Sequence, residues 1–394
     1  MAAEKASKSG KGGNSNADGL MIGLECHCYL DMSNHSKLFC NCRIEHEAPP
    51  NTNICEVCTA QPGSKPMLPN KEAVDKIIAA GLMLNCRINP ALIWQRKHYS
   101  WPDLPAGYQK TMSGSYSFPV GENGNFLGIG IIDVHLEEDP AKWDPVTGCV
   151  DYNRSGFPLI EIVTAPDFTS AEQVSEWIKK LLTTLSYISA IDKEAGIKSD
   201  VNVNIKGHPR VEVKNVNSIK SIVKSIEYEA KRQKEVMQSN KKSEIIQQTR
   251  AWDDDAEVTH FMRSKETAQE YMFIPEPDLP VIHVKADYLQ EITAKLPERP
   301  QEKIEKFTSL GIELEDAKVL ASERILAEIF EKVAKEVNPV LAARWLRREL
   351  LRVANYNDME LSNLKIDEKQ IIELLSMVEK KEITDNVAKK MLEE

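Results

Sequence analysis

Apolar and polar positions alternate along Ile22-Gly23-Leu24-Glu25-Cys26-His27-Cys28-Tyr29-Leu30. Read as a strand, this stretch points Ile22, Leu24, Cys26, Cys28 and Leu30 one way and Glu25, His27 and Tyr29 the other. A carboxylate and an imidazole then share a wet face. The pattern returns at Asp200 to Ile205, where Asp200, Asn202 and Asn204 oppose three β-branched residues, and at Arg210 to Lys214, where Glu212 and Lys214 alternate with valines. A half-solvated antiparallel sheet produces the same alternation without chemistry, so both readings stand at this point. Ile129 to Leu136 is a further alternating strand running into Glu137-Glu138-Asp139. Its pleat puts Glu138 with Ile132, Val134 and Leu136, and Glu137 with Asp133 and His135. Pro158 to Val163 sets Glu161 inside another apolar strand. Carboxylates in register with apolar residues need a partner, commonly a cation or a metal.

Helical periods occupy the intervals. Asn70 caps a helix to about Asn85, and Ser170 with Gln173 opens one through about Ser186. A third runs from Ser218 to about Gln238. Trp94 to Gln109 mixes aromatics, bases, two prolines and a glycine, and is expected to be an irregular functional loop. From Arg299 onward Lys, Glu, Leu, Ala and Ile recur with helical period, predicting a separate all-α region joined through the proline-rich Pro275–Pro280 and Leu296–Pro300 stretches.

At 394 residues with 42% hydrophobic content, the chain suits two domains or one large domain with an appendage. No apolar run reaches membrane-spanning length, and Met1 to Asp18 lacks a signal peptide's hydrophobic centre and is expected to be a disordered leader; a cytoplasmic protein without a membrane partner follows. The net charge of −10 means that a nucleic-acid partner must be held by local basic patches. Eight cysteines in such a chain do not make a disulfide framework. Cys40-x-Cys42 and Cys55-x-x-Cys58 instead match a Cys₄ structural zinc loop, against the alternative of four unligated thiols; four thiolates leave no open position for catalysis.

Eight motifs then stand in order: I-G-L-E-C-H from Ile22, P-N-T-N-I-C-E-V-C from Pro50, P-D-L-P-A-G-Y-Q from Pro102, H-L-E-E-D from His135, D-Y-N-R-S-G-F-P-L-I-E-I-V from Asp151, R-V-E-V-K-N-V-N-S from Arg210, and R-S-K-E from Arg263 with P-E-P-D-L-P from Pro275. Together they resemble the B subunit of the glutamine-dependent aspartyl/glutamyl-tRNA amidotransferase, from about Leu20 to the C-terminus. The resemblance implies a ligase subunit that uses ATP to phosphorylate the side-chain carboxylate of mischarged Glu-tRNA(Gln) or Asp-tRNA(Asn). Ammonia released by an amidase (A) subunit then displaces the phosphate, within a heterotrimer that includes a small C subunit. It implies an α+β fold: a large mainly antiparallel sheet cradled by helices over 19–295, a helical domain over 296–375, and the start of a tail domain over 376–394. It places Mg²⁺ on His27, Glu138 and Glu161 with Glu25 and Glu137 beside them. Asp200, Asn202, Glu212 and Lys214 fall on the active face, Lys214 as a phosphate contact, and Zn²⁺ falls on the cysteine loop. Phosphoryl transfer between two anions calls for such a cation, and Mg²⁺ takes hard oxygen ligands.

Departures from the family pattern qualify the transfer. Lys198-Ser199-Asp200 stands where relatives often have R-C-D, Tyr271-Met-Phe-Ile-Pro275 replaces Y-R-Y-F-P, and no Walker glycine loop is present. Ile383 to Glu394 looks like the opening of the tail, so the chain is either cut short or naturally short-tailed. The short run from Ser264 to Pro280 leaves no room for the large insertion of the related E-type subunit. A non-catalytic, zinc-stabilised tRNA-binding module is the alternative function; the acids set in apolar strands count against it. Arg344, Arg348 and Arg352, spaced four apart, are expected to share a helix face, which is either a tRNA contact or an ordinary solvated face.

Overall fold

The computed structural model describes residues 19–193, 195–239, 244–264, 271–364 and 366–393. The expected leader and Lys265–Glu266 of the R-S-K-E motif lie outside the described residues. In chain order the strands are β1 (Met21–Tyr29), β2 (Arg87–Ile88), β3 (Ala91–Leu92), β4 (Gln95–His98), β5 (Tyr108–Thr111), β6 (Gly121–Phe126), β7 (Ile129–Glu138), β8 (Lys142–Trp143), β9 (Val150–Asp151), β10 (Pro158–Thr164), β11 (Lys198–Asn204), β12 (Val211–Val216), β13 (Gln248–Asp253), β14 (Val258–Ser264), β15 (Met272–Pro275) and β16 (Ile282–His283). The helices are α1 (Lys71–Met83), α2 (Ala171–Tyr187), α3 (Ile219–Gln238), α4 (Ala286–Ala294), α5 (Pro300–Ser309), α6 (Leu314–Leu320), α7 (Arg324–Val333), α8 (Pro339–Trp345), α9 (Leu351–Tyr356), α10 (Glu368–Glu379) and α11 (Asp385–Glu393). Most strand pairs are antiparallel, and helices dominate the C-terminal region, as the α+β reading expected. No helix among the described residues is long and apolar enough to cross a membrane.

The chain divides into two compact units: Met1–Cys26, Val163–Glu176 and Ile197–Glu270 form one, and His27–Ile162, Trp177–Gly196 and Tyr271–Glu394 the other. In the first, the order is β14-β13-β12-β11-β1. β11 and β12 are antiparallel, and β12 returns through α3 to lie parallel with β13. The alternation explains the layer: Val201, Val203, Val211 and Val213 are fully buried, while Asp200, Asn202, Glu212 and Lys214 are half-buried on the opposite side. Ser218 caps α3 by accepting from the Ser221 amide, and α3 buries Ile222 and Ile226. It also buries Glu229 completely. Glu229 accepts from Arg232 Nη2 at 2.6 Å, Gln233 Nε2 at 2.9 Å and Thr259 Oγ1 at 3.2 Å, with Arg250 Nε at 3.7 Å. A carboxylate out of water survives here because donors surround both of its oxygens.

In the second unit β7 is central. Its first half pairs with β6 and its end with β5, while β5-β4-β15 continue outward. β6 carries Gly124 because a Cβ there would meet Cys86 Sγ at 2.5 Å and Leu84 O at 2.7 Å, just beyond α1. Trp94–Gln109 is not wholly irregular, since β4 and β5 bound it. Their polar side chains mask them in the sequence, because here burial comes by pairing rather than by apolarity. Arg96 makes a bidentate ion pair with Glu276 at 2.8 and 2.9 Å and reaches Asp278 at 3.2 Å. Pro275–Pro280 is therefore sheet edge and clamp as well as connection. The helical region closes on its own core, in which Phe307 and Phe330 meet edge to face at 4.6 Å beside Trp345 and Leu350.

Glu229→Ala strands two arginines beside a cavity and is expected to lower stability by roughly 3–5 kcal/mol, with Glu229→Gln losing less, as read by urea unfolding.

Candidate functional site

Three clusters of ligand-type side chains emerge from these elements. In the second unit, β1 supplies His27, β7 supplies Glu137 and β10 supplies Glu161, with one ligand atom of each within 4.8 Å of the others. His27 Nε2 lies 3.1 Å from Glu161 Oε2. His135 Nε2 meets the same oxygen at 3.1 Å, and its Nδ1 meets Asp133 Oδ1 at 2.8 Å. Burial would discharge His135, but the charges of Glu161 and Asp133 outweigh it and hold its pKa well above the usual imidazole range. Burial likewise opposes ionisation of Glu161, and the charges of His135 and His27 overcome that to hold it well below the carboxylate range. Glu137, 5% exposed, is instead pushed up, first by burial and then by Glu161. Two carboxylates out of water beside imidazole nitrogen make a donor set for a divalent cation, and Glu137 is the ligand most in want of one.

This corrects the expected ligand set in one position. Glu138 sits on the other side of β7, where its carboxylate accepts from Lys110 Nζ at 2.9 and 3.2 Å and from the Lys110 amide at 2.9 Å. The pleat separates the two glutamates as expected, but it is Glu137, not Glu138 on the more apolar side of β7, that meets His27 and Glu161. His135 is a site residue that the sequence reading did not include, although its shared pleat with Glu137 is visible in the sequence.

The second cluster, in the first unit, joins Glu25, Asp200 and Glu212 within 4.8 Å. Lys214 pairs with Asp200 and lies 3.0 Å from Glu212. Burial would lower the Lys214 pKa, but the charges of Asp200 and Glu212 raise it. Asn202 Nδ2 donates to Glu25 Oε1 at 3.0 Å, while its buried Oδ1 has no partner among the described residues. Lys214 thus balances Asp200 and Glu212, and the buried Asn202 oxygen leaves an acceptor to be satisfied.

The third cluster is the cysteine loop. Cys40, Cys42, Cys55 and Cys58 converge, with Cys58 Sγ 4.0 Å from Cys42 Sγ and 3.9 Å from Cys55 Sγ. Four thiolates on one zinc, at about 2.3 Å each, stand about 3.8 Å apart, so the loop fits that ion. The Cys40 thiol, by hydrogen bonding to Cys58, brings the Cys58 pKa down to about 5. The D-Y-N-R-S-G motif holds the loop: Asp151 accepts from the Asn51 amide and Asn153 from the Asn53 amide, each at 2.9 Å, and Ser155 Oγ donates to Cys58 O at 2.9 Å.

Arg344, Arg348 and Arg352 do not form a bare basic stripe. A π-turn over Leu346–Leu350 interrupts the helix between α8 and α9, and four-residue spacing keeps one face only in a regular α-helix. Arg344 lies 3.7 Å from Asp385, and Arg352 pairs with Glu349 at 3.1 Å and Glu393 at 2.7 Å; Arg348 is exposed.

A sheet that gathers carboxylates and imidazoles, with a loop that gathers four cysteines, has the make-up of an enzyme domain. Residues 20–290 match the model of the GatB/GatE catalytic domain, and residues 328–394 match that of the GatB domain. The chain is 46% identical over 378 residues to the B subunit of the aspartyl/glutamyl-tRNA(Asn/Gln) amidotransferase of Methanothermobacter thermautotrophicus, covering 95% of this chain and 82% of that one. It is 43% identical over 396 residues to the protein of the same description from Methanocaldococcus jannaschii, covering 97% and 82%. The chain belongs to the GatB family, as the ordered motifs implied.

His135 yields a pH prediction for the metal-free chain. Its folded pKa is raised, so its contribution to stability is complete below the unfolded value near 6.5 and is lost as pH rises through the folded value. His135→Gln is expected to flatten the alkaline side of the stability profile, measured as urea midpoints between about pH 6 and 9 in chelator.

Proposed function

We propose that this chain is the B subunit of a glutamine-dependent aspartyl/glutamyl-tRNA amidotransferase and carries its ATP-dependent step, the phosphorylation of the side-chain carboxylate of Glu-tRNA(Gln) or Asp-tRNA(Asn). An amidase (A) subunit releases the ammonia that replaces the phosphate, giving Gln-tRNA(Gln) or Asn-tRNA(Asn), and a small C subunit completes a cytoplasmic heterotrimer. The observation that carries this reading is the convergent, largely buried His27–Glu137–Glu161 group in a chain 46% identical to a protein of that description. A binding module has no use for acids held out of water in strands.

The chemistry follows from charge. The γ-phosphate of ATP and the substrate carboxylate repel each other, and the site's own carboxylates repel both. His27, Glu137 and Glu161 would hold Mg²⁺, which would supply the compensating charge. Around that position His135 fixes the Glu161 carboxylate and is itself oriented by Asp133, so the ligand oxygen is set before substrate arrives. In the other cluster Lys214, clamped by Asp200 and Glu212, keeps an ammonium in place for a phosphate, while Glu25 and Asn202 complete the polar face. Cys40, Cys42, Cys55 and Cys58 would hold Zn²⁺ as a staple, four thiolates leaving no open position for catalysis.

In the assembled complex, Glu137→Gln and Glu161→Gln are each expected to reduce amidation of both charged tRNAs at least about a hundredfold while the amidase subunit still hydrolyses glutamine. Normal amidation by either variant would remove the metal assignment.

Metal analysis of purified protein is expected to give about one zinc per chain, lost in a Cys55→Ser, Cys58→Ser double variant. Unchanged zinc in that variant would place the ion elsewhere.

A further inference from the structure

The second unit brings two indoles together at its surface. Trp101, in the loop between β4 and β5, is 56% exposed and meets the half-buried Trp143 of β8 with ring centroids 5.5 Å apart at 85°. An indole left in water against a second one calls for an explanation. The arrangement is held by backbone. Ala141 N donates to Asp103 O at 2.9 Å, stitching the Trp101 loop to the segment that leads from β7 into β8. β8 is itself one arm of a hairpin, with Trp143 opposite Val150. Arg154 fastens the same segment, donating to Pro140 O at 3.0 Å and Ala141 O at 2.8 Å. The two rings therefore form an L-shaped notch in which Trp101 is more than half exposed.

Position ties the notch to the chemistry. Trp143 follows Glu137 by six residues, a reach of at most about 20 Å of extended chain. Tyr99, two residues before Trp101, lies among the same groups: burial first, then the charges of Asp103 and Glu137, push its phenol up. Exposed Lys142 adjoins Trp143. The one acid that follows, Asp144, is engaged in its own turn, accepting from Val146 N at 2.9 Å and Thr147 Oγ1 at 2.6 Å.

We propose that Trp101 and Trp143 form a stacking platform for the unpaired 3′-terminal base of the substrate tRNA. The inference rests on the function proposed above, in which the reacting amino acid is esterified to the ribose of that same nucleotide. A base seated on the platform holds the side-chain carboxylate at the triad through one sugar and one ester. Every base offers a π-face, so stacking on indole needs no further sequence reading. The open notch favours the end of a macromolecule over free ATP, because small ligands need sites that bury most of their surface.

The test uses the complex with its amidase subunit and charged tRNA whose terminal adenine is replaced by 2-aminopurine. Wild type is expected to quench the probe on binding. Trp101→Ala should abolish the quench and raise KM for charged tRNA about 5- to 100-fold, the range of one lost base stack, with KM for ATP unchanged. Trp101→Phe should restore most of both. An undiminished quench and unchanged KM in Trp101→Ala, with wild type binding and amidating normally, would overturn the platform and leave the proposed function standing. A rise in KM for ATP alone, or loss of the amidase subunit from the complex, would also overturn it by assigning the notch to another occupant. Failure of wild type to bind or amidate charged tRNA would overturn the proposed function itself.

Discussion

Glu137 and Glu161 lie almost wholly out of water with two imidazoles close by, and much of the second unit is arranged to make that tolerable. An isolated carboxylate in such a place would take up a proton. Glu161 stays charged because His27 and His135 converge on a single oxygen, and His135 can do so because Asp133 holds its far nitrogen. Glu137 is pushed up because burial and the charge of Glu161 outweigh Lys97, His135 and His27. That imbalance is stored by three strands, which fix the separation of the groups far more firmly than loops could.

The same constraint explains why so many long motifs in this chain are not chemistry. Arg96 is needed in β4 because Glu276 and Asp278 come to the sheet edge, and it packs over the Tyr108 ring at 4.4 Å. Buried Lys110 answers Glu138. Asp151, Asn153 and Ser155 are spent on the backbone of the cysteine loop, while Arg154 and Tyr29 both reach Asp139 just beyond the end of β7. Charged and amide residues that look catalytic in one dimension are largely the partners that let a polar sheet be buried at all.

The thiol loop stands apart in kind. Its shape comes from side-chain-to-backbone bonds and from sulfur atoms spaced for a tetrahedral ion rather than from a large apolar core. A segment this poor in core needs an ion or a clamp to hold one conformation, and the D-Y-N-R-S-G motif supplies the clamp.

Alternation and helical period alone locate β1, β7, β10, β11, β12 and the three long helices, because side-chain periods of two and 3.6 are local properties of the backbone. They also put Glu137 and His135 on one side of β7 and Glu138 on the other. Local pattern cannot say which side meets Glu161, since that depends on β10 lying beside β7, a pairing between residues far apart in sequence. β4 and β5 are hidden for the same reason: Arg96 and Lys110 read as solvent-facing until Glu276 and Glu138 arrive from elsewhere in the chain to neutralise them. The arginines near Leu350 show the opposite failure, where four-residue spacing is real but a π-turn breaks the register that gives it meaning. Sequence determined which residues face the same way within an element; only the tertiary structure decided which charges meet, because electrostatic partners are chosen by spatial approach and not by chain order.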